Sequence, residues 1–387
     1  MYLIKFFLSV LCCIFFAATG FAQTDSCDLK ITLLTCGPGK DLYSIFGHSA
    51  IRVRDRNSQR DIIYNYGTFE FSDPDFYIKF VKGKLRYSVS TEQYSQFMEE
   101  YELENRSVTE QVLRLSCSEQ QQLSAALQWN ARDENKYYLY EFLFDNCSTR
   151  IRDIIKKNTR DSIHFKSILP QPVQTFREML HVCLDTGKLY WSKLGIDLAL
   201  GSLIDRKPTN EEAMFLPDYL LKGYDSAFID NIPVTLVKRP ILRVSPEAEE
   251  EEPLFTPLNS TVFLLVLIVA LTMLNKKGVN RFLAVFDVTL FLITGAIGCF
   301  LLLMWFGTEH DLCANNYNLL WALPLHFFVS FFIFKNRSWV KNYFLCSAVF
   351  YLLLVLFWSF IPQGMNPAFI PLALVLGLRS FDLATKK

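Results

Sequence analysis

The sequence predicts an α+β domain followed by an all-α domain of membrane-spanning helices. Two observations carry that expectation. Before the acidic stretch at Glu247, short alternating apolar segments interleave with helically spaced ones; after it come five long apolar runs. Composition agrees, because 387 residues suffice for two domains and 51% hydrophobic content exceeds that of an ordinary soluble chain. Basic and acidic residues balance at 39 each, so no basic face singles out nucleic acid as a partner.

Taken in order, Met1–Lys5 is a basic start, Phe6–Phe16 a short apolar core, and Ala17–Ala22 a run rich in small residues. This is the pattern of a secretory signal peptide over 1–22, which exports the soluble domain and discards Cys12 and Cys13. Leu11 is too bulky for a lipobox before Cys12, so the chain does not read as a lipoprotein itself. The soluble domain is expected over 23–246. Ile31–Cys36 reads as a strand ended by Gly37-Pro38-Gly39, and His48–Val53 and Asp61–Tyr66 as two paired half-buried strands joined by a polar hairpin loop. Further strands are expected at Leu85–Val89 and Val108–Leu115. A helix follows over Ser118–Asn130, capped by Ser116 or Ser118, and a second begins at Asn146 and runs through Ile155.

An acidic linker, 247–258, precedes apolar runs near 259–275, 282–306, 317–334, 342–361 and 366–382. Each is long enough for a bilayer core of about 30 Å. With the soluble domain outside, Lys276, Lys277, Arg281, Lys335, Arg337 and Lys341 fall in inner loops, and 383–387 forms an inner tail. The outer loops, Gly307–Asn316 and Pro362–Asn366, hold no Lys or Arg, which is a positive-inside pattern over five spans. The chain is therefore expected to be multi-pass, with its soluble domain on the outer side of the membrane.

Two segments carry chemistry: Gly47-His48-Ser49 at the start of a strand and Asp145-Asn146-Cys147 where a loop becomes a helix. A helix N-terminus and a nearby imidazole both favour thiolate, so Cys147 and His48 form a candidate nucleophile and base. Cysteine arithmetic leaves room for a free thiol. Cys27, Cys36, Cys117, Cys147 and Cys183 are an odd number in an oxidising compartment, so at least one is free or pairs with Cys313. A third polar group should orient the imidazole. Asn65 lies on the strand paired with that of His48, Tyr64 is its rival on the opposite face, and register decides between them. No Cys-x-x-Cys pair, His-Glu-x-x-His run or phosphate-cradling loop asks for a metal or cofactor.

The order of histidine, strand polar residue and helix-opening cysteine resembles the circularly permuted, papain-like NlpC/P60 thiol enzymes. A closer resemblance spans nearly the whole mature chain: Leu33-Leu34-Thr35-Cys36-x-Pro38-Gly39, Tyr43-Ser44-x-Phe46-Gly47-His48-Ser49-Ala50, Asp145-Asn146-Cys147, Asp197-x-x-Leu200-Gly201-Ser202 and Ala213-Met214-Phe215-Leu216-Pro217. These segments are similar to the Lnb family, which joins such a periplasmic domain to five membrane helices. The resemblance implies lipoprotein N-acylation, with a membrane phospholipid as acyl donor and a diacylated lipoprotein as acceptor, and with His48 and Cys147 as base and nucleophile. Asn65 rests on strand pairing alone. A membrane-anchored cell-wall peptidase or phospholipase, and a non-catalytic membrane interaction module, are the competing readings.

Several further residues have an ordinary role to set beside a functional one. Asp287 and Arg379 sit toward the inner ends of their spans, where they can pair. His326 follows Pro324 mid-span, and a satisfied packing histidine is the commoner case there. His310, Asn316 and Asn318 lie level with the expected site, where a lipid head group would sit. Trp191 and Phe215-Leu216-Pro217 are either lipid-facing or core.

Overall fold

The computed structural model describes residues 27–69, 75–159, 162–245, 251–274, 276–335 and 337–385. The signal peptide expected over 1–22, residues 247–250 of the acidic linker and the last two residues of the inner tail lie outside the described residues.

Period-two apolar patterning builds one antiparallel sheet. Its strands are β1 (Leu29–Cys36), β2 (His48–Asp55), β3 (Arg60–Thr68), β4 (Arg86–Gln93), β5 (Val108–Leu113), β6 (Tyr137–Leu139) and β9 (Thr235–Leu242). They lie in the order β6-β4-β3-β2-β1-β5-β9, and β7 (Phe228–Ile229) with β8 (Ile232–Pro233) makes a separate small hairpin. The sequence pattern marks β1 to β5 but neither edge strand. β6 is three residues long and β9 carries Pro240 and an exposed apolar–polar mixture, so alternation says little in either case.

The sheet is buried on both faces. Ile31, Leu33, Ile51, Val53, Tyr64 and Tyr66 share a core with α3 (Cys117–Asn130), α4 (Cys147–Lys157) and α7 (Pro217–Ser226), preceded in the chain by the short α1 (Phe76–Val81). On the opposite face Leu34, Cys36, Ala50 and Ile63 pack against Phe97 and Tyr101 of α2 (Tyr94–Leu103). In α4, Ile151, Ile154 and Ile155 fall at helical spacing and all are buried, each burial stabilising by about 1.5–3 kcal/mol. Ser116, rather than Ser118, caps α3: its hydroxyl accepts from the Glu119 N–H while the Glu119 carboxylate takes the Ser116 N–H.

Two helices that the sequence pattern does not mark, α5 (Phe176–Thr186) and α6 (Tyr190–Ala199), lead toward the helical domain. That domain comprises α8 (Pro257–Leu274), α9 (Lys277–Phe306), α10 (Leu325–Ser330), α11 (Ser338–Leu356) and α12 (Phe369–Thr385). Three of these, α8, α9 and α11, are long and apolar enough to cross a membrane, and α12 has 17 residues. The run expected over 317–334 is not one helix. It consists of the six-residue α10 between 3-10 turns at Tyr317–Leu320 and Ile333–Lys335. Pro324 caps α10 and cannot donate to a preceding turn, which explains the break. Asp287 and Arg379 do pair, through two buried hydrogen bonds of 2.6 and 2.8 Å, and Arg379 also binds Thr272 and Asp382.

Candidate active site

Local sequence sets the cysteine at a helix start. Asn146 is the N-cap of α4, its Oδ1 accepting from the N–H groups of Ser148 at 2.9 Å and Thr149 at 3.0 Å. Its Nδ2 donates to the carbonyls of Phe142 at 2.8 Å and Phe215 at 2.9 Å. One side chain thus fixes the helix start to two loops, and the cap takes the N–H groups of Ser148 and Thr149 rather than that of Cys147. Arg150 forms a two-pronged ion pair with Asp145 and lies over the Tyr138 ring, holding the loop that enters the helix.

His48 opens β2. Gly47 before it has φ +80°, and a Cβ there would come within 2.7 Å of the Cys36 carbonyl, so only glycine turns the chain into the strand this way. Ala50 pairs with Asn65, which puts Asn65 on the same face as His48, one step along the neighbouring strand. Asn65 Nδ2 donates to Glu92 Oε1 at 2.6 Å, so its Oδ1 faces the imidazole and accepts from His48 Nε2–H at 3.1 Å. Tyr64 points the other way into the core with β1, α3 and α4. Register therefore selects Asn65 over Tyr64 as the neighbour of His48.

The helix start and the strand start meet. Helix α4 packs on β2 and β3, and Ser148 Oγ is 2.9 Å from Ser49 Oγ, one residue along from each of the two candidates. Cys147 is a free, half-buried thiol with Ser148 Oγ 3.9 Å from its sulfur. Beside it the register of β3 slips between Tyr66 and Thr68; Gly67 between them has φ +93°, a left-handed backbone that favours glycine, and lies against the Cys147 side chain.

The electrostatics follow. Burial alone pushes the Cys147 thiol up, but the charge of and hydrogen bond to His48, with the Ser49 N–H and the Ser148 hydroxyl, outweigh it and leave the thiol below its ordinary value. Burial likewise pushes His48 down, yet Cys147 and the Asn65 hydrogen bond hold the imidazole above its ordinary value. The two directions are those of a thiolate–imidazolium pair. With Nε2 turned to Asn65, Nδ1 is the nitrogen left for the thiol. Cys36, paired across the strands with His48, is pushed by burial up to about 12 and stays a thiol. Among the described residues, no two cysteines form a disulfide and no group of three His, Cys, Asp or Glu side chains is gathered to hold a metal ion.

This cluster lies on the side of the sheet domain that meets the helical domain. Phe46 and Phe142 pack in one cluster with Leu143 and with Leu312 of the 307–316 loop, and Asp311 raises the titration of Glu141, whose largest cause is burial. Lys84 pairs with Glu309 at 3.0 Å. Asn316 and Asn318, which the sequence leaves between a lipid head group and ordinary outer-loop polarity, are buried and donate to the carbonyls of Leu198, Ala199 and Asp197 in α6. His326 is buried between the hydroxyls of Tyr351 and Tyr343, a packing role. Trp191 is half exposed and donates to the Phe255 carbonyl, whereas Phe215-Leu216-Pro217 is core. Sequence reasoning misses Glu92 and Gly67, which carry no motif of their own, and does not foresee the contact of Ser148 with Ser49 of the Gly47-His48-Ser49 segment.

A sheet domain bearing a thiol, an imidazole and an amide, joined to apolar, membrane-length helices, is the architecture of a membrane protein with a candidate active site in its head. Residues 16–182 match the family model described as the Lnb N-terminal periplasmic domain, and residues 248–387 match the Lnb transmembrane domain. The chain belongs to the Lnb family and is a membrane protein with a periplasmic part. No curated protein and no solved structure matches it.

Proposed function

We propose that this protein is a lipoprotein N-acyltransferase of the bacterial inner membrane, with Cys147 as nucleophile, His48 as acid and base, and Asn65 as the group that orients His48. The observation that carries the reading is the His48–Asn65 hydrogen bond of 3.1 Å beside a thiol of lowered pKa at a helix start, in a chain of the Lnb family. A circularly permuted papain-like fold for the head, a multi-pass anchor of five spans and cleavage after Ala22 belong to the same proposal.

The Cys147 thiolate attacks an ester carbonyl of a membrane phospholipid, forming the C–S bond. The N–H of Cys147, at the helix start, serves in this reading as one donor to the oxygen that becomes negative. Collapse breaks the C–O bond; imidazolium His48 gives its proton to the departing glycerol oxygen, and lysophospholipid leaves a thioester on Cys147. The α-amine of a diacylglyceryl-cysteine lipoprotein then attacks the thioester and yields its proton to His48. Breakdown expels the thiolate and leaves an amide. A five-span anchor suits this substrate pair better than a soluble cell-wall substrate, since donor and acceptor both live in the bilayer.

The test uses the full-length protein in detergent with phospholipid and a synthetic diacylated lipopeptide. The lipopeptide is expected to gain one amide-linked acyl chain by mass, and none when its amine is blocked or when Cys147→Ser replaces the enzyme. Free fatty acid without amide would mean a lipase and contradict the proposal.

A further inference from the structure

Asn65 is not free to choose which end of its amide faces the histidine. Strands β2, β3 and β4 carry His48, Asn65 and Glu92 in adjacent positions on one face: Ala50 pairs with Asn65, and Ile63, two residues from Asn65, pairs with Glu92. The Glu92 carboxylate has no proton to give when ionised, so it can only accept from Asn65 Nδ2, which it does at 2.6 Å. That bond turns Oδ1 toward His48 Nε2, 3.1 Å away, and an acceptor there requires the ring to carry its proton on Nε2. Nδ1 is thereby left to take the Cys147 proton.

The geometry points to Glu92 as a positioning residue that fixes the tautomer of His48, and favours its protonated form, through Asn65. This inference rests on the thiol–imidazole pair of the proposed function and adds to it a residue that touches neither substrate nor sulfur. The surrounding charges leave that role to Glu92. Burial, with Glu100 of α2 adding to it, outweighs the opposing pull of Asn65 and His48 and holds the Glu92 carboxyl above its ordinary value. Around His48 itself stand Cys147, Asn65 and Arg106, and Arg106 opposes a positive ring.

Replacing Glu92 by Gln removes the constraint. A glutamine amide offers Asn65 a donor as well as an acceptor, so the Asn65 amide can reverse and present Nδ2 to the ring. The imidazolium then loses both its acceptor and a nearby negative charge, and less of the Cys147 thiol is ionised at a given acid pH.

The experiment follows alkylation of Cys147 by iodoacetamide across pH in the full-length protein, read on the Cys147 peptide by mass spectrometry, alongside thermal stability and acyl-transfer kcat. Glu92→Gln is expected to lose roughly tenfold in alkylation rate at pH 6, equivalent to its midpoint moving up by about one pH unit, with kcat falling by a similar factor. Glu92→Asp, which keeps the carboxylate, should lie closer to wild type, with the melting temperature of both variants little changed. A Glu92→Gln profile superimposed on wild type overturns the inference, as does a uniform loss of rate with an unmoved midpoint in a destabilised protein. If wild-type Cys147 itself titrates as an ordinary thiol, the underlying pair fails and Glu92 with it. If alkylation behaves as expected but no acyl transfer occurs, the positioning role stands and the acyltransferase reading falls.

Discussion

At the scale of single residues, the site depends on two groups whose pKa values are pushed toward each other's charge state. On the proposed function, Cys147→Ser and His48→Ala should each cost several orders of magnitude in acyl transfer while the protein remains folded, because the proposed nucleophile and base act as a unit. Gel filtration and activity on the same preparations check this. The pH dependence has a definite sign. Rate should rise with pH through the lowered Cys147 value and fall again as His48 loses its proton above its raised value, giving a bell between them. In His48→Ala the alkylation midpoint of Cys147 should move up toward an ordinary thiol. His48 and Cys147 were legible in the sequence because each sits in a local context, strand start or helix start, that changes its chemistry. Asn65 was legible only to a choice of two, since a one-residue slip of β3 against β2 would have turned Tyr64 toward His48 instead. Glu92 was not legible at all; its role exists only because three strands lie side by side.

At the scale of elements, the helix start is what aims the sulfur. Asn146→Ala removes a cap to Ser148 and Thr149 and also the ties to Phe142 and Phe215, so it should cost more than the ~1 kcal/mol of an ordinary cap. Chemical denaturation measures that loss, and the alkylation profile should show Cys147 ionising less readily. Gly67 tests the bulge: Gly67→Val places a branched side chain at φ +93° against Cys147, so activity should drop by more than stability does. Strands β2 and β3 were readable from alternation, β1 from a short apolar run ended by Gly37-Pro38-Gly39, β4 and β5 as further short strands, and α3 and α4 from caps followed by helical spacing. Helices α5, α6 and α7 were not, although two segments near them, Asp197–Ser202 and Ala213–Pro217, stood out as motifs. Their purpose is contact with other parts of the molecule, which local periodicity does not record.

At the scale of the whole molecule, the head is locked onto the helical domain by a buried polar network centred on Asp197. Its Oδ1 accepts from Arg177 at 3.0 Å and His181 at 2.7 Å, its Oδ2 from Asn366 at 3.0 Å, and its carbonyl from Asn318 at 2.8 Å. Gly201 and Ser202 add backbone hydrogen bonds to Leu312 and Asn315. Asp197→Ala leaves Arg177 with Asp205 as its remaining carboxylate and removes the acceptors of His181 and Asn366, so it should destabilise by about 1–3 kcal/mol, seen as a lowered melting temperature and easier proteolytic separation of head from anchor. Topology is tested separately: reporters after Lys277 and Arg337 should read cytoplasmic, and one at Cys313 periplasmic. Composition and hydropathy reveal the two-domain plan, but not how the domains join, because the joining groups are asparagines and backbone carbonyls that look like ordinary loop residues.

The central claim is a covalent acyl intermediate on Cys147, and withholding the acceptor tests it most directly. Full-length protein incubated with phospholipid and no lipoprotein should gain one fatty-acyl mass on the Cys147 peptide. The adduct should be released by neutral hydroxylamine, be absent in Cys147→Ser, and transfer to the amine of an added diacylated lipopeptide. Fatty acid released to water is measured in parallel. Neither adduct nor fatty acid from a folded preparation would contradict the account.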